Sequence, residues 1–214
     1  MDMERYWKDR VAREGRQAIV TPGTDYEKRT NEEVGYLVRK IQAAFAHRKG
    51  KRVARSIEYG AGHGRLLAVQ ATTSEAPEFL DLTEQNRELF YEVHGREAYP
   101  FEIARISEVK LSKVYDYALT WTVLQHIVDD GEFDASVRAI VESVDTLGFV
   151  FTYEATNDNG KITSSHCSHR SEGRFLLPFL RKCVLVEFEE FYPAGMGIHN
   201  PPTHKFYTFR RMVP

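Results

Sequence analysis

Ile57-Glu58-Tyr59-Gly60-Ala61-Gly62-His63-Gly64 decides how the rest of this 214-residue chain is read. Val53–Tyr59 has the content of a strand, Arg65–Thr73 reads as a helix, and the glycines form a turn between them. A turn from strand to helix is where an open parallel sheet holds its ligand. Glycine lets the backbone approach a ligand closely and adopt angles that other residues avoid. Asp81, closing the next predicted strand (Glu78–Leu82), can accept hydrogen bonds from both hydroxyls of a ribose.

The pattern keeps alternating on the carboxyl side. Residues 84–94 form a helix with Leu89, Phe90 and Val93 on one face, stopped by Gly95. Phe101–Ile106 is a weaker strand, Tyr117–Thr122 a strand, 132–145 a helix and Gly148–Glu154 a strand. A helix over 174–182 contains Pro178, and two long strands follow, Val184–Tyr192 and Lys205–Arg211. On the amino side, 3–14 reads as a short helix carrying Tyr6, Trp7 and Val11, followed by a polar stretch with Pro22 and Gly23. Thr30-Asn31-Glu32-Glu33 has the form of a capping box opening an amphipathic helix over 31–47. The expected architecture is α/β, a doubly wound, mostly parallel seven-stranded sheet. The 193–204 connection suits a hairpin, so the last strand should run antiparallel. A helical cap (1–50) should precede a Rossmann-like domain (51–214).

Three ligand readings compete for the glycine turn. A dinucleotide site needs a third glycine at 65, and Arg65 stands there, where its side chain obstructs close approach. Glu58 suits a positively charged amino group better than a pyrophosphate, which favours a nucleoside joined to an amino acid. A tight turn with no ligand is the remaining alternative, disfavoured by the combination of Glu58, the glycines and Asp81.

Ile57–Gly64 resembles the first motif of class I S-adenosylmethionine-dependent methyltransferases, and Phe79-Leu80-Asp81-Leu82 resembles their second. Tyr115–Ile127, with Val123-Leu124-Gln125-His126, is similar to their fourth-strand segment. The resemblance runs in order from about residue 53 to 154. It implies S-adenosylmethionine as cofactor. Glu58, Tyr59, Gly60, Ala61, Gly62 and Gly64 would hold the methionine end, Asp81 with Leu82 the ribose, and Thr120 with Trp121 the floor beside the sulfonium. One feature departs from the family. The acid often found after the third strand, against the adenine amine, has no secure counterpart in Ala104-Arg105-Ile106-Ser107-Glu108. Ile106 and Ser107 are left to line the adenine pocket.

Composition narrows the partners. Lys and Arg number 29 against 31 Asp and Glu, a net charge of -2 that gives no general pull toward nucleic acid or acidic lipid. Residues 1–55 hold 14 basic against 8 acidic side chains, which reads most simply as exposed helix surface. The cluster Arg48, Lys49, Lys51, Arg52 and Arg55 precedes the first strand, at the edge opposite the glycine turn, so nucleic acid is a disfavoured partner. Two cysteines exclude a disulfide framework. Neither a signal-peptide pattern nor an apolar run of membrane-spanning length occurs, so a soluble, cytoplasmic protein is expected.

Methyl transfer from a sulfonium is an in-line displacement that needs a base only if the acceptor must lose a proton. On the carboxyl rim of the sheet His126 is the candidate base, with packing or helix capping as its alternative role. His166, Cys167, His169, His199 and His204 match no common zinc spacing, so no metal is expected. Asn200-Pro201-Pro202-Thr203 resembles the Asn-Pro-Pro-aromatic motif of DNA amino-methyltransferases but ends in threonine, and reads as a turn. Tyr6 and Trp7 suit either a lid or a packed helix. The expected activity is methylation of an O or N atom on a small molecule or terminal group. A nucleic-acid or nucleotide methyltransferase, a non-catalytic cofactor-binding relative and a nicotinamide dehydrogenase are the alternatives.

Overall fold

In the computed structural model, residues 2–19, 25–95, 99–109, 113–158, 160–193 and 203–213 are described. Five strands, β1 (Val53–Tyr59), β2 (Ser74–Asp81), β3 (Phe101–Ile103), β4 (Tyr115–Trp121) and β5 (Val144–Thr156), pair in parallel in the order β3-β2-β1-β4-β5. A two-stranded ladder, β6 (Ile162–Thr163) and β7 (Ser168–His169), stands apart from them. β8 (Cys183–Glu190) and β9 (Thr203–Arg211) complete the main sheet of seven. β9 pairs antiparallel with both β5 and β8, so β9 alone opposes the other six strands, as the hairpin reading anticipates.

Helices cover both faces, which explains why strand residues on each side are apolar. Among the described residues α1 (Met3–Glu14), α2 (Tyr26–Ala44), α3 (Leu67–Thr73), α4 (Glu84–His94), α5 (Asp130–Ser143) and α6 (Glu172–Leu180) are the α-helices, with short 3-10 turns between elements. On one face, Leu37, Ile41 and Phe45 pack with Tyr117, Leu119, Phe151 and Phe206. On the other, Phe133, Val137, Ile140 and Phe179 pack with Ile57, Ala118, Val150 and Phe209. β4 shows the two-residue period directly: Ala118 points to one cluster, Tyr117 and Leu119 to the other.

Two local expectations are corrected. α2 starts at Tyr26, not at 31, because the Asp25 carboxylate accepts the Lys28 N–H and caps the helix (3.1 Å). Thr30 lies inside the helix. Glu33 is buried in ion pairs with Arg29 (2.8 Å) and Arg65 instead of closing a capping box. β2 runs through Pro77 and begins at Ser74, because β3 joins only from Phe79 onward. The missing N–H of Pro77 therefore falls where β2 has one paired edge. Pro22, Gly23, His199 and Asn200–Pro202 lie outside the described residues. Among those described, no helix is long and apolar enough to cross a membrane.

Candidate functional site

β1 ends at the glycine turn beside β4, where the strand order reverses direction about β1. Gly60, Gly62 and Gly64 all have positive φ (70°, 58° and 80°), a region costly for side-chain-bearing residues. The N–H groups of Gly60 and Ala61 both donate to the Leu80 carbonyl (2.8 and 3.1 Å), tying the turn to the end of β2. A Cβ on Gly60 would lie 2.4 Å from Val123 Cγ2, and one on Gly64 would lie 2.7 Å from the Phe90 ring. The first glycine thus admits the segment after β4, and the third admits α4.

The turn walls an open cleft whose lining mixes apolar side chains with a few polar groups, as small-molecule sites do. Of the residues singled out in the sequence, Glu58, Gly60, Ala61, Gly62, Asp81, Leu82, Ile106, Trp121 and His126 line it together. Tyr59 sits in the core beneath, and the Thr120 hydroxyl donates to Thr152 within the sheet (2.7 Å). Gly64 packs on α4, and Ser107 lies in a short 3-10 turn, half-buried, outside the lining. Residues that the sequence left unmarked also contribute: Met3 from α1, Asn86 from α4, and Glu132 with Ser136 from α5. Asn86 carried a readable signal, as a polar residue in the first turn after the Thr83 cap. Ser136 carried none.

Asp81 is built into the turn. Its Oδ1 accepts from Leu82 N–H (2.8 Å), Thr83 N–H (3.3 Å) and Asn86 Nδ2 (2.8 Å). Its Oδ2 accepts Gly62 N–H (2.9 Å) and keeps room for a further donor. Burial pushes this carboxyl above the usual range, against the pull of those donors. Glu58 is buried more harshly. Desolvation pushes it up to about 8, opposed by the nearby charge of Arg65.

Four polar atoms on the cleft wall are buried and find no hydrogen-bond partner among the described residues: Glu58 Oε2, Asn86 Oδ1, Trp121 Nε1 and Ser136 Oγ. Each such atom costs roughly 1–3 kcal/mol. Three can accept, two can donate, and together they call for a polar ligand that supplies the missing partners. Glu58 matches an ammonium, Asn86 beside Asp81 matches ribose hydroxyls, and the glycine turn leaves the backbone bare. These residues fit S-adenosylmethionine. Arg65 does not block the turn, because its guanidinium reaches Glu33 on α2.

At the mouth, His126 ends a 3-10 turn (Leu124–His126) that the Glu154 carboxylate anchors. Glu154 accepts the N–H groups of Val123 (2.9 Å), Leu124 (2.9 Å) and Gln125 (3.0 Å). Burial nevertheless pushes it up to about 7. Just before it, Thr122 has φ 57°, unusual for a β-branched residue. His126 Nδ1 lies 2.9 Å from the His166 carbonyl, which can only accept, so Nδ1 carries the proton and Nε2 the lone pair. Burial pushes His126 down to about 4, keeping it neutral. Trp7 meets His126 edge-on (4.9 Å between ring centres), and Tyr6 stacks on His166 (4.8 Å). Among the described residues no group of three or more His, Cys, Asp or Glu is arranged to hold a metal. Much of the basic cluster is engaged: Arg48 pairs with Asp116 (2.7 Å), Arg55 with Glu78 (2.9 Å), and Arg52 donates to the Ala71 and Ser74 carbonyls.

No family model and no curated protein sequence matches the chain. Solved structures do. The N-methyltransferase NodS from Bradyrhizobium japonicum WM9, in complex with S-adenosyl-L-homocysteine, superposes with a TM-score of 0.77 over 99% of both chains at 12% identity. The magnesium protoporphyrin IX methyltransferase ChlM from Synechocystis PCC 6803, with bound S-adenosylmethionine, gives 0.69 over 99% of this chain and 98% of that one, at 12% identity. CalS10, an amino pentose methyltransferase from Micromonospora echinaspora, gives 0.67 over 86% and 92%, at 14% identity. At such identities the likeness is one of architecture: this chain has the fold of the class I S-adenosylmethionine-dependent methyltransferases.

Proposed function

We propose that this protein is an S-adenosylmethionine-dependent methyltransferase acting on an O or N atom of a small-molecule acceptor. The observation that carries the reading is the unpartnered, buried Glu58 carboxylate oxygen beside a bare glycine turn, a pairing suited to an amino-acid-bearing nucleoside. The cofactor supplies an already activated methyl group. Glu58 would take its amino group, Asp81 with Asn86 its ribose hydroxyls, and Ile106 would pack on its base. Trp121 would close the floor. Met3 and Trp7, on α1, would shield the mouth from water and hold the acceptor in line with the methyl. His126, neutral and oriented by the His166 carbonyl, would take the acceptor's proton at Nε2. Two of the similar structures, an N-methyltransferase and an amino pentose methyltransferase, use nitrogen or sugar acceptors by name, which agrees with such a base.

Calorimetric titration with S-adenosylhomocysteine tests this reading, with NADH as control and Asp81→Ala as the variant. Micromolar binding that Asp81→Ala abolishes is the expected result. A folded protein that ignores S-adenosylhomocysteine would overturn it.

A further inference from the structure

The adenine end of the cleft has an arrangement that the sequence did not reveal. In the segment after β3, where an acid was sought, Arg105 lines the cleft. Its Nη1 donates to Glu132 Oε1 on α5 (3.3 Å). Glu132 and Ser136 are four residues apart on α5 and therefore share one helix face. Both line the cleft next to Ala104 and Ile106. Ser136 is 1% exposed, yet its Oγ has no partner among the described residues. A serine inside a helix ordinarily satisfies its hydroxyl on the carbonyl one turn back. Here that bond is not made, and the hydroxyl stays available to the cleft.

We propose that the base of the cofactor is read from α5, by the Glu132 carboxylate and the Ser136 hydroxyl, in place of an acid after β3. The claim rests on the reading of the cleft as an S-adenosylmethionine site. The chemistry selects a 6-aminopurine. Adenine offers an exocyclic N–H donor beside a ring-nitrogen acceptor, which matches a carboxylate that accepts and a hydroxyl that donates. A 6-oxopurine breaks the first match: its carbonyl oxygen would face the carboxylate, whereas its ring N–H would still meet an acceptor in the serine hydroxyl, so the discrimination falls on Glu132. Arg105 fixes one carboxylate oxygen of Glu132 and leaves the other to the ligand. Ile106 supplies the apolar wall for the ring.

The test is calorimetry on the full chain with S-adenosylhomocysteine and its 6-oxo analogue, S-inosylhomocysteine. Wild type should prefer the adenine ligand by about tenfold or more, the scale of a hydrogen bond to a charged group. Glu132→Gln should weaken the adenine ligand by about tenfold and shrink that preference. Ser136→Ala should weaken it by about fivefold, while the unliganded variant melts at or above the wild-type temperature, because no hydrogen bond is lost. That split is what a purely structural serine would not produce. Unchanged affinity in both variants, with undiminished discrimination against the 6-oxo ligand, would overturn the proposal and leave the cofactor assignment intact. If folded wild type binds neither ligand, both fall together.

Discussion

Glu58 should make cofactor binding a proton-releasing event. In the unliganded protein burial holds this carboxyl up at about 8, so it is protonated at neutral pH. An ammonium placed against Oε2 stabilises the ionised form and lowers the bound pKa. Protons are therefore lost on binding, and affinity rises with pH below 8. The ionised fraction climbs from about 1% at pH 6 to about 50% at pH 8, a gain of roughly 50-fold. The ligand's own α-amino group, flanked by a free carboxylate and not by a peptide bond, stays largely protonated over this range and bends the profile down only above it. Titration with S-adenosylhomocysteine in buffers of different ionisation enthalpy counts the protons directly, and close to one should leave at pH 6.5. Glu58→Gln should abolish both the release and the rise with pH. The stability sign follows from the same shift. A raised folded-state pKa contributes stability below the unfolded value near 4.5, and that contribution is lost as pH climbs through 8, so unliganded Glu58→Gln should resist heat better than wild type at pH 8.5. Tight binding at pH 6 with no buffer dependence would refute the reasoning.

Gly60→Ala should abolish binding and destabilise the fold by about 1–3 kcal/mol, since the new Cβ meets Val123 and φ is 70°; a thermal melt within error of wild type would count against it. Nitrogen-15 NMR should find His126 as the Nδ1–H tautomer and neutral from pH 5.5 to 8, with its titration near 4; a midpoint near 6.5 would contradict the burial argument. Glu154→Gln should cost about 1–3 kcal/mol, because an NH2 group would face at least one of the three N–H donors. Denaturant unfolding measures it, and an unchanged midpoint would mean that the clamp is slack.

The fold was legible because its signals were periodic and local: the strand before Gly60, the Gly95 stop and the helix-free hairpin each constrain the chain within a few residues. The start of α2 was not, since Tyr26, Arg29 and Glu33 turn inward and spoil the apolar pattern. Their burial depends on Arg65, more than thirty positions away. The glycine wall and Asp81 could be read from spacing. Glu132, Ser136 and Glu154 could not, because a carboxyl or hydroxyl that faces a cleft or the core looks like any surface residue until its neighbours are known.

Thr122 bears on any attempt to engineer this protein. It bends the chain out of β4 at a φ of 57°, held by its own N–H on the Tyr153 carbonyl (2.7 Å). A stability-minded designer would place glycine there and gain relief of order 1 kcal/mol from the strained backbone. The same exchange would widen the backbone choices of the turn that aims Val123 at Gly60 and carries His126, leaving Glu154 as its main restraint. Robustness and the proposed activity should therefore trade against each other at this one position, so a heat-selected library ought to recover Thr122→Gly and a library selected for the proposed methyl transfer ought to discard it.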